Sequence, residues 1–392
     1  MSGDDSVRTR AERGPERRGA RRSGIRKHSS LLEQERWARA AWSRIAEPED
    51  LVAADLIARH GAVEAIRRIG RVDEPKTERF RTRLELLDIE RDLEIGDRFG
   101  ARVICPGDDE WPTGLDDLSH PPYCLWVRGP ADLGLVCRRS AAVVGARSAT
   151  AYGEAVAADL AAGLGQRRFA IVSGAAFGID AAAHRGALAA EATTVAVLAS
   201  GVERPYPAAH AALISRIAET GAVVSEVAPG SAPTKWRFLQ RNRLIATMSR
   251  GTVVVEAGLR SGSLNTARSA DKHSRVVAAV PGPVTSMMSS GCHQAIRDGL
   301  AVLVTDAAEA AEVFGELGTD SIAHRSGPTQ PDDDLDPLPH LVLNSLPIRR
   351  SLDLTSLGNT SGRSVAEVTG ALGVLELRGL VQRDGDRWRR RR

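Results

Sequence analysis

Seven short apolar runs punctuate the chain between residues 101 and 315, at 141–145, 170–173, 194–199, 222–225, 252–256, 275–280 and 301–304. Each is β-branched and apolar on both faces, as a strand covered on both sides by helices requires. Stretches of helical period, such as 152–165 and 179–190, lie between them. Strand and helix alternating this often predict an α/β fold: an extended, Rossmann-like, doubly wound parallel sheet over 98–315. In an open sheet of that kind, ligands bind beyond the carboxyl ends of the strands.

The flanks differ in composition. Residues 1–32 are Arg-rich without apolar periodicity and read as a disordered basic tail. Residues 33–97 carry helical spacing with no strand signal (Leu51, Ala54, Ala58, then Val63, Ile66, Ile69) and a helix stop at Gly61. They suggest a small helical module of the helix-hairpin-helix or SAM-like kind, or a plain helical bundle. Residues 316–339, crowded with Pro and Asp, read as a linker. From 340 to 392, Val365, Val368, Leu372 and Leu375 trace a helix, and a hairpin turning on Asp384-Gly385 follows. Helices followed by a small hairpin describe a winged helix.

Several classes are disfavoured. No apolar run approaches the roughly 18 residues of a membrane span, and no secretory pattern opens the chain, so a cytoplasmic protein without membrane contact is expected. The four cysteines are scattered, without metal or disulfide spacing, and neither metal nor cofactor is expected. No GxxxxGK[ST] loop follows the first predicted strand, no dinucleotide fingerprint is present, and no GxSxG elbow surrounds Ser173 or Ser200. Asp180 and Glu256 stand at strand ends, where they could act as bases or fix loops by accepting N–H bonds. The histidines His184, His210, His273 and His293 read as packing or capping residues.

What remains is concentrated at one sheet edge. Predicted strands run into Gly145-Ala146-Arg147-Ser148-Ala149-Thr150, into Ser173-Gly174-Ala175-Ala176-Phe177-Gly178-Ile179-Asp180, and into Glu256-Ala257-Gly258-Leu259-Arg260-Ser261-Gly262-Ser263. Glycines let backbone N–H groups approach a phosphate, and a following helix N-terminus adds a positive dipole. Before the last of these strands comes Lys235-Trp236-Arg237-Phe238-Leu239-Gln240-Arg241-Asn242-Arg243. It packs four cations and two aromatics into nine residues of a chain with only six Phe, six Trp and three Tyr. That is the composition of a platform for single-stranded nucleic acid. It is equally the composition of a core Phe with structural ion pairs around it.

These loops, in this order, resemble the DNA-processing protein A family (DprA, also called Smf). The likeness includes Val143 to Gly153, Ser173 to Asp180, Tyr206-Pro207, Ser225-Glu226, Phe238 with Arg241-Asn242-Arg243, Ser261 to Ala267, Pro281-Gly282 and Gly291-Cys292. Leu239 stands where the family usually has Pro. The resemblance implies a non-catalytic protein that binds and shields single-stranded DNA, helps load the RecA recombinase during DNA uptake and recombination, and works as a homodimer. Carried onto this sequence, the family's DNA pocket falls on Arg147, Ser173, Gly174, Lys235, Phe238, Arg241, Arg243, Ser261, Gly262 and Ser263. Two other functions compete: a phosphoribohydrolase-like enzyme acting on nucleoside monophosphates, and a winged-helix transcription regulator with a recognition helix over 364–378.

Overall fold

The structure is a computed structural model that describes residues 30–71, 75–322 and 332–391. It divides into two compact units, with the boundary between Ile322 and Ala323. The expected basic tail lies outside the described residues as far as residue 29, and so do residues 323–331 of the expected linker.

The first unit is built on strands β1 (Ala101–Ile104), β2 (Leu125–Arg128), β3 (Ser140–Val144), β4 (Ala170–Ser173), β5 (Thr194–Val197), β6 (Ala222–Ser225), β7 (Gly251–Val254), β8 (Val276–Ala279) and β9 (Val302–Leu303). Their order in the sheet is β1-β2-β6-β5-β4-β3-β7-β8-β9. The seven strands β3 to β9 pair in parallel. They are the seven apolar runs of the sequence, and β3 through β7 are buried along their whole length. Strands β1 and β2 add an antiparallel edge next to β6, which the sequence pattern did not suggest. Each is four residues long and carries an arginine, too little apolar alternation to register. Chain order runs outward from β3 on one side through β4, β5 and β6, then returns to β7 on the other. The sheet therefore switches direction between β3 and β7, and a crevice opens at their carboxyl ends.

The N-terminal helices Leu31–Ile45, Leu51–His60, Ala62–Ile69, Glu78–Glu85 and Ile89–Arg98 are not a detached module. Trp42 and Phe80 are fully buried and belong to the same apolar cluster as Trp126, Ala196 and Val223 of the sheet. The Trp42 indole donates to Ala62 O at 3.0 Å, and the Trp126 indole reaches Ser43 Oγ at 3.1 Å. Helices Ala151–Gln166, Ile179–Ala189 and Ala307–Phe314 cover another cluster, with Val143, Ile171 and Val253. Residues 316–320, expected in the linker, are fastened to this unit: Arg139 grips Asp320 with bonds of 2.7 and 3.0 Å.

The second unit has helices Pro337–Ser345, Leu354–Ser361 and Val365–Leu377, and strands β10 (Leu352–Asp353), β11 (Val381–Asp384) and β12 (Arg387–Arg390). The strands form an antiparallel sheet in the order β10-β12-β11. Val342, Leu357, Leu372 and Leu375 make its core, with Trp388 from the hairpin closing it.

Because the N-terminal helices share a core with the sheet, Trp42→Ala should destabilise the first unit as a whole by about 3–5 kcal/mol in denaturant unfolding. A chain ending at Ile322 should keep the wild-type unfolding midpoint of that unit. A Trp42→Ala protein whose sheet unfolds at the wild-type midpoint would show the helices to be independent.

Candidate functional site

The loops after β3, β4 and β7 converge on one cleft of about 760 Å³, closed on one side by helix Lys235–Thr247. Two buried carboxylates shape its walls. Glu256, 1% exposed, accepts from Thr150 N at 2.9 Å and from Thr150 Oγ1 at 2.6 Å. That pins the β3 loop to the β7 strand end, and Ala146 N–H donates to Glu256 O at 2.7 Å. Gly153 must be glycine here, since a Cβ would fall 2.2 Å from the Glu256 carboxylate. Asp180 accepts from Gly174 N at 3.1 Å and Ala176 N at 3.4 Å, which fixes the β4 loop. Burial pushes the Asp180 carboxyl up from the usual range, while Arg241 and the backbone donors pull it back. The N–H groups of Arg147, Ser148 and Gly262 find no acceptor among the described residues, so the cleft presents unspent backbone donors.

Helix Lys235–Thr247 starts on Thr234, whose hydroxyl accepts from Arg237 N at 3.2 Å, and its period sorts its side chains onto two faces. One face is bound into the protein. Arg237 takes Glu47 in a two-pronged pair at 2.9 and 3.0 Å, Gln240 donates to Pro48 O, and Arg243 meets Glu226 at 2.5 Å and Glu49 at 3.5 Å. The other face carries Lys235, Phe238, Leu239 and Asn242, three or four residues apart. Phe238 is half-buried, with the Tyr206 ring at 5.4 Å and the Arg147 guanidinium 4.8 Å from its ring centre.

Arg241 lies between the two faces and lines the cleft. It is 4% exposed and donates from Nη1 to Val197 O at 2.8 Å, while its Nε has no partner. Burial lowers its pKa to about 10, with Asp180 opposing the shift, so it remains a cation at neutral pH. A buried guanidinium with an unspent donor at a cleft wall is a prepared anion contact.

Of the ten residues expected in the site, Arg147, Phe238, Arg241, Ser261, Gly262 and Ser263 line the cleft. Ser261 and Ser263 share a 2.7 Å hydroxyl contact that shapes the turn. Lys235 is exposed one helical turn before Phe238, on the same face. The structure does not bring the other three there. Ser173 is fully buried, its hydroxyl spent on Val143 O at 2.7 Å. Gly174 gives its N–H to Asp180, and a Cβ on it would sit 1.6 Å from Arg241 Nη1. Its bareness makes room for a guanidinium, not for a phosphate. Arg243 is 6% exposed and held by Glu226 on the opposite face of the helix. One residue was missed: Arg260 lines the cleft and is exposed. The glycine pattern of its loop does not point to it, although a cation directly before a Ser-Gly-Ser turn is a signal present in the sequence.

The histidines pack. His184 is buried with Nδ1 2.7 Å from Thr194 Oγ1, and burial pushes its pKa down to about 3, which keeps it neutral. His210 Nδ1 lies 3.0 Å from Ala175 O.

Residues 102–315 match the family model described as DNA recombination-mediator protein A. The chain is 47% identical over 366 residues to a DNA processing protein DprA of Mycobacterium tuberculosis, spanning 89% of this chain and 93% of that relative. It is 37% identical over 284 residues to the protein Smf of Escherichia coli, spanning 71% and 74%. The X-ray structure of DNA processing protein A from Streptococcus pneumoniae matches it with a TM-score of 0.62 at 31% identity, covering 72% of this chain and 98% of that one.

If Gly174 exists to admit Arg241, Gly174→Ala should overpack the site and cost about 1–3 kcal/mol in unfolding free energy. Introduced beside Arg241→Ala, the same change should cost much less, a coupling that a double-mutant cycle measures. Additive costs would return the glycine to a simple turn role.

Proposed function

This chain belongs to the DNA recombination-mediator protein A family, and from that premise we propose that its cleft binds single-stranded DNA through phosphates, with bases meeting the Phe238 side. The observation that carries this is the composition of the cleft. Exposed Arg147 and Arg260 and the buried cation Arg241 stand with unspent loop N–H groups beside Phe238, Leu239, Leu259 and Met287. Phosphate contacts position a strand without reading sequence, while apolar and aromatic faces stack bases that a duplex would hide. A phosphate that draws Arg147 away would also uncover the Phe238 ring face it now occupies.

The proposed activity is binding, without catalysis. Asp180, in the first turn of helix Ile179–Ala189, and Glu256, just past β7, are both spent on loop donors, which supports structural roles for both. Kinship supports the rest of the proposal: a cytoplasmic homodimer that protects strands during DNA uptake and recombination and helps load RecA onto them. Among the described residues, no helix is long and apolar enough to cross a membrane.

Titration of labelled single strands at several salt concentrations tests the cleft. For a strand short enough to fill the cleft alone, Arg147, Lys235, Arg241 and Arg260 as phosphate contacts predict that log affinity falls with log salt at a slope of about −0.7 per contact, hence near −3. Arg147→Ala should flatten the slope by about 0.7. Phe238→Ala should cost roughly 1–3 kcal/mol of binding with the unfolding midpoint little changed, because the ring is only half-buried. A salt-independent affinity, or release of free base from a nucleoside monophosphate, would overturn the proposal.

A further inference from the structure

Across helix Lys235–Thr247 lies a second groove of about 360 Å³. Leu239 lines both this groove and the cleft, so it forms the ridge between them. A helix is only about 10 Å across with its side chains, and a chain of nucleotides can step over that distance.

The second groove contains the cation that the cleft lacks. Arg243, 6% exposed, lines it. Glu226 takes its Nη2 at 2.5 Å and Glu49 stands 3.5 Å from Nε, but Nη1 has no hydrogen-bond partner. A buried guanidinium donor left unspent is costly, and a ligand oxygen would relieve it. Arg268 and Lys272 line the same groove from helix Ser263–Lys272. Four residues apart, they fall on one face, and both are exposed. His273 adds a ring whose Nδ1 is held 2.7 Å from Ser269 O, leaving Nε2 over. Glu49 is the one acid among the lining residues. Cations on two neighbouring helices around an unspent buried donor suit a phosphate.

We infer that this groove holds a second phosphate segment of the same single strand, which crosses the helix over Leu239. The inference rests on the single-strand reading of the cleft. It gives Arg243 a nucleic-acid contact after all, on the other side of the helix from Phe238. It also makes binding dependent on strand length: a short strand fills the cleft alone, and a longer one reaches Arg243, Arg268 and Lys272.

The test uses the full chain with thymidine oligonucleotides of about 4 and about 16 nucleotides, the span of site sizes for one single-strand-binding fold. With the long strand, Arg268→Ala/Lys272→Ala should flatten the salt slope by about 1.4, two contacts' worth. With the short strand it should bind like wild type. Its melting temperature should not change, since both side chains are exposed. Arg147→Ala should weaken both lengths. Arg67→Ala/Arg68→Ala, which removes the same charge from another helix, should leave both slopes unchanged. The second groove is overturned if the Arg268/Lys272 variant matches wild type on the long strand. It is also overturned if that variant loses equally at both lengths, or if the Arg67/Arg68 variant loses as much. A wild-type protein that binds neither length overturns the single-strand reading itself, and the second groove with it.

Discussion

The Arg243–Glu226 pair, closed at 2.5 Å with both side chains nine-tenths or more buried, is the contact on which the rest of the site depends. Desolvating two charges is expensive, and removing either partner would strand the other in the interior at a cost of about 3–5 kcal/mol. Burial pushes the Glu226 carboxyl up, and Arg243 pulls it back. The pair ties one face of helix Lys235–Thr247 to the end of β6, and Arg237–Glu47 and Gln240–Pro48 tie the same face to the loop between the first two helices. The rotation of the helix is thereby fixed. Lys235, Phe238 and Leu239 have nowhere to point but outward.

The N-terminal helices, held to the sheet by the apolar core around Trp42 and Trp126, take part in that lock. They supply Glu47, Pro48 and Glu49, the acceptors that hold the binding helix in place. The same logic runs through the loops, where buried Glu256 accepts from the Thr150 N–H and hydroxyl and buried Asp180 accepts from backbone N–H groups. Arg241 occupies the space left by Gly174. Arg241 and the loop donors of the cleft are thus positioned before any ligand arrives, which lowers the ordering cost of binding.

Much of this was legible from the sequence. A parallel strand buried on both faces leaves a continuous apolar signature, so β3 to β9 could be read directly, as could the crevice at their carboxyl ends. Strands β1 and β2 could not, because each is only four residues long, Arg102 interrupts the first and Arg128 ends the second. In the stretch from Lys235 to Arg243 the sequence pattern gathers residues that the helix sorts onto different faces. Arg241 and Arg243 stand two apart, about 200° around a helix of 3.6 residues per turn, so they cannot serve one surface. Arg237 and Arg243 are committed to acids distant in sequence, Glu47 and Glu226, which no local pattern reveals. Gly174 looked like a phosphate turn because glycine is usual there. Its actual neighbour, Arg241, comes from an element more than sixty residues later.

Photocrosslinking tests the central claim most directly. A single strand carrying 4-thiothymidine would be bound to the full chain, irradiated, and the attached residues mapped by mass spectrometry. The account predicts adducts at Phe238, Leu239 and the loop from Gly258 to Ser263, with Arg237 on the locked face untouched. Adducts confined to residues 337–391, with none between 235 and 263, would contradict it.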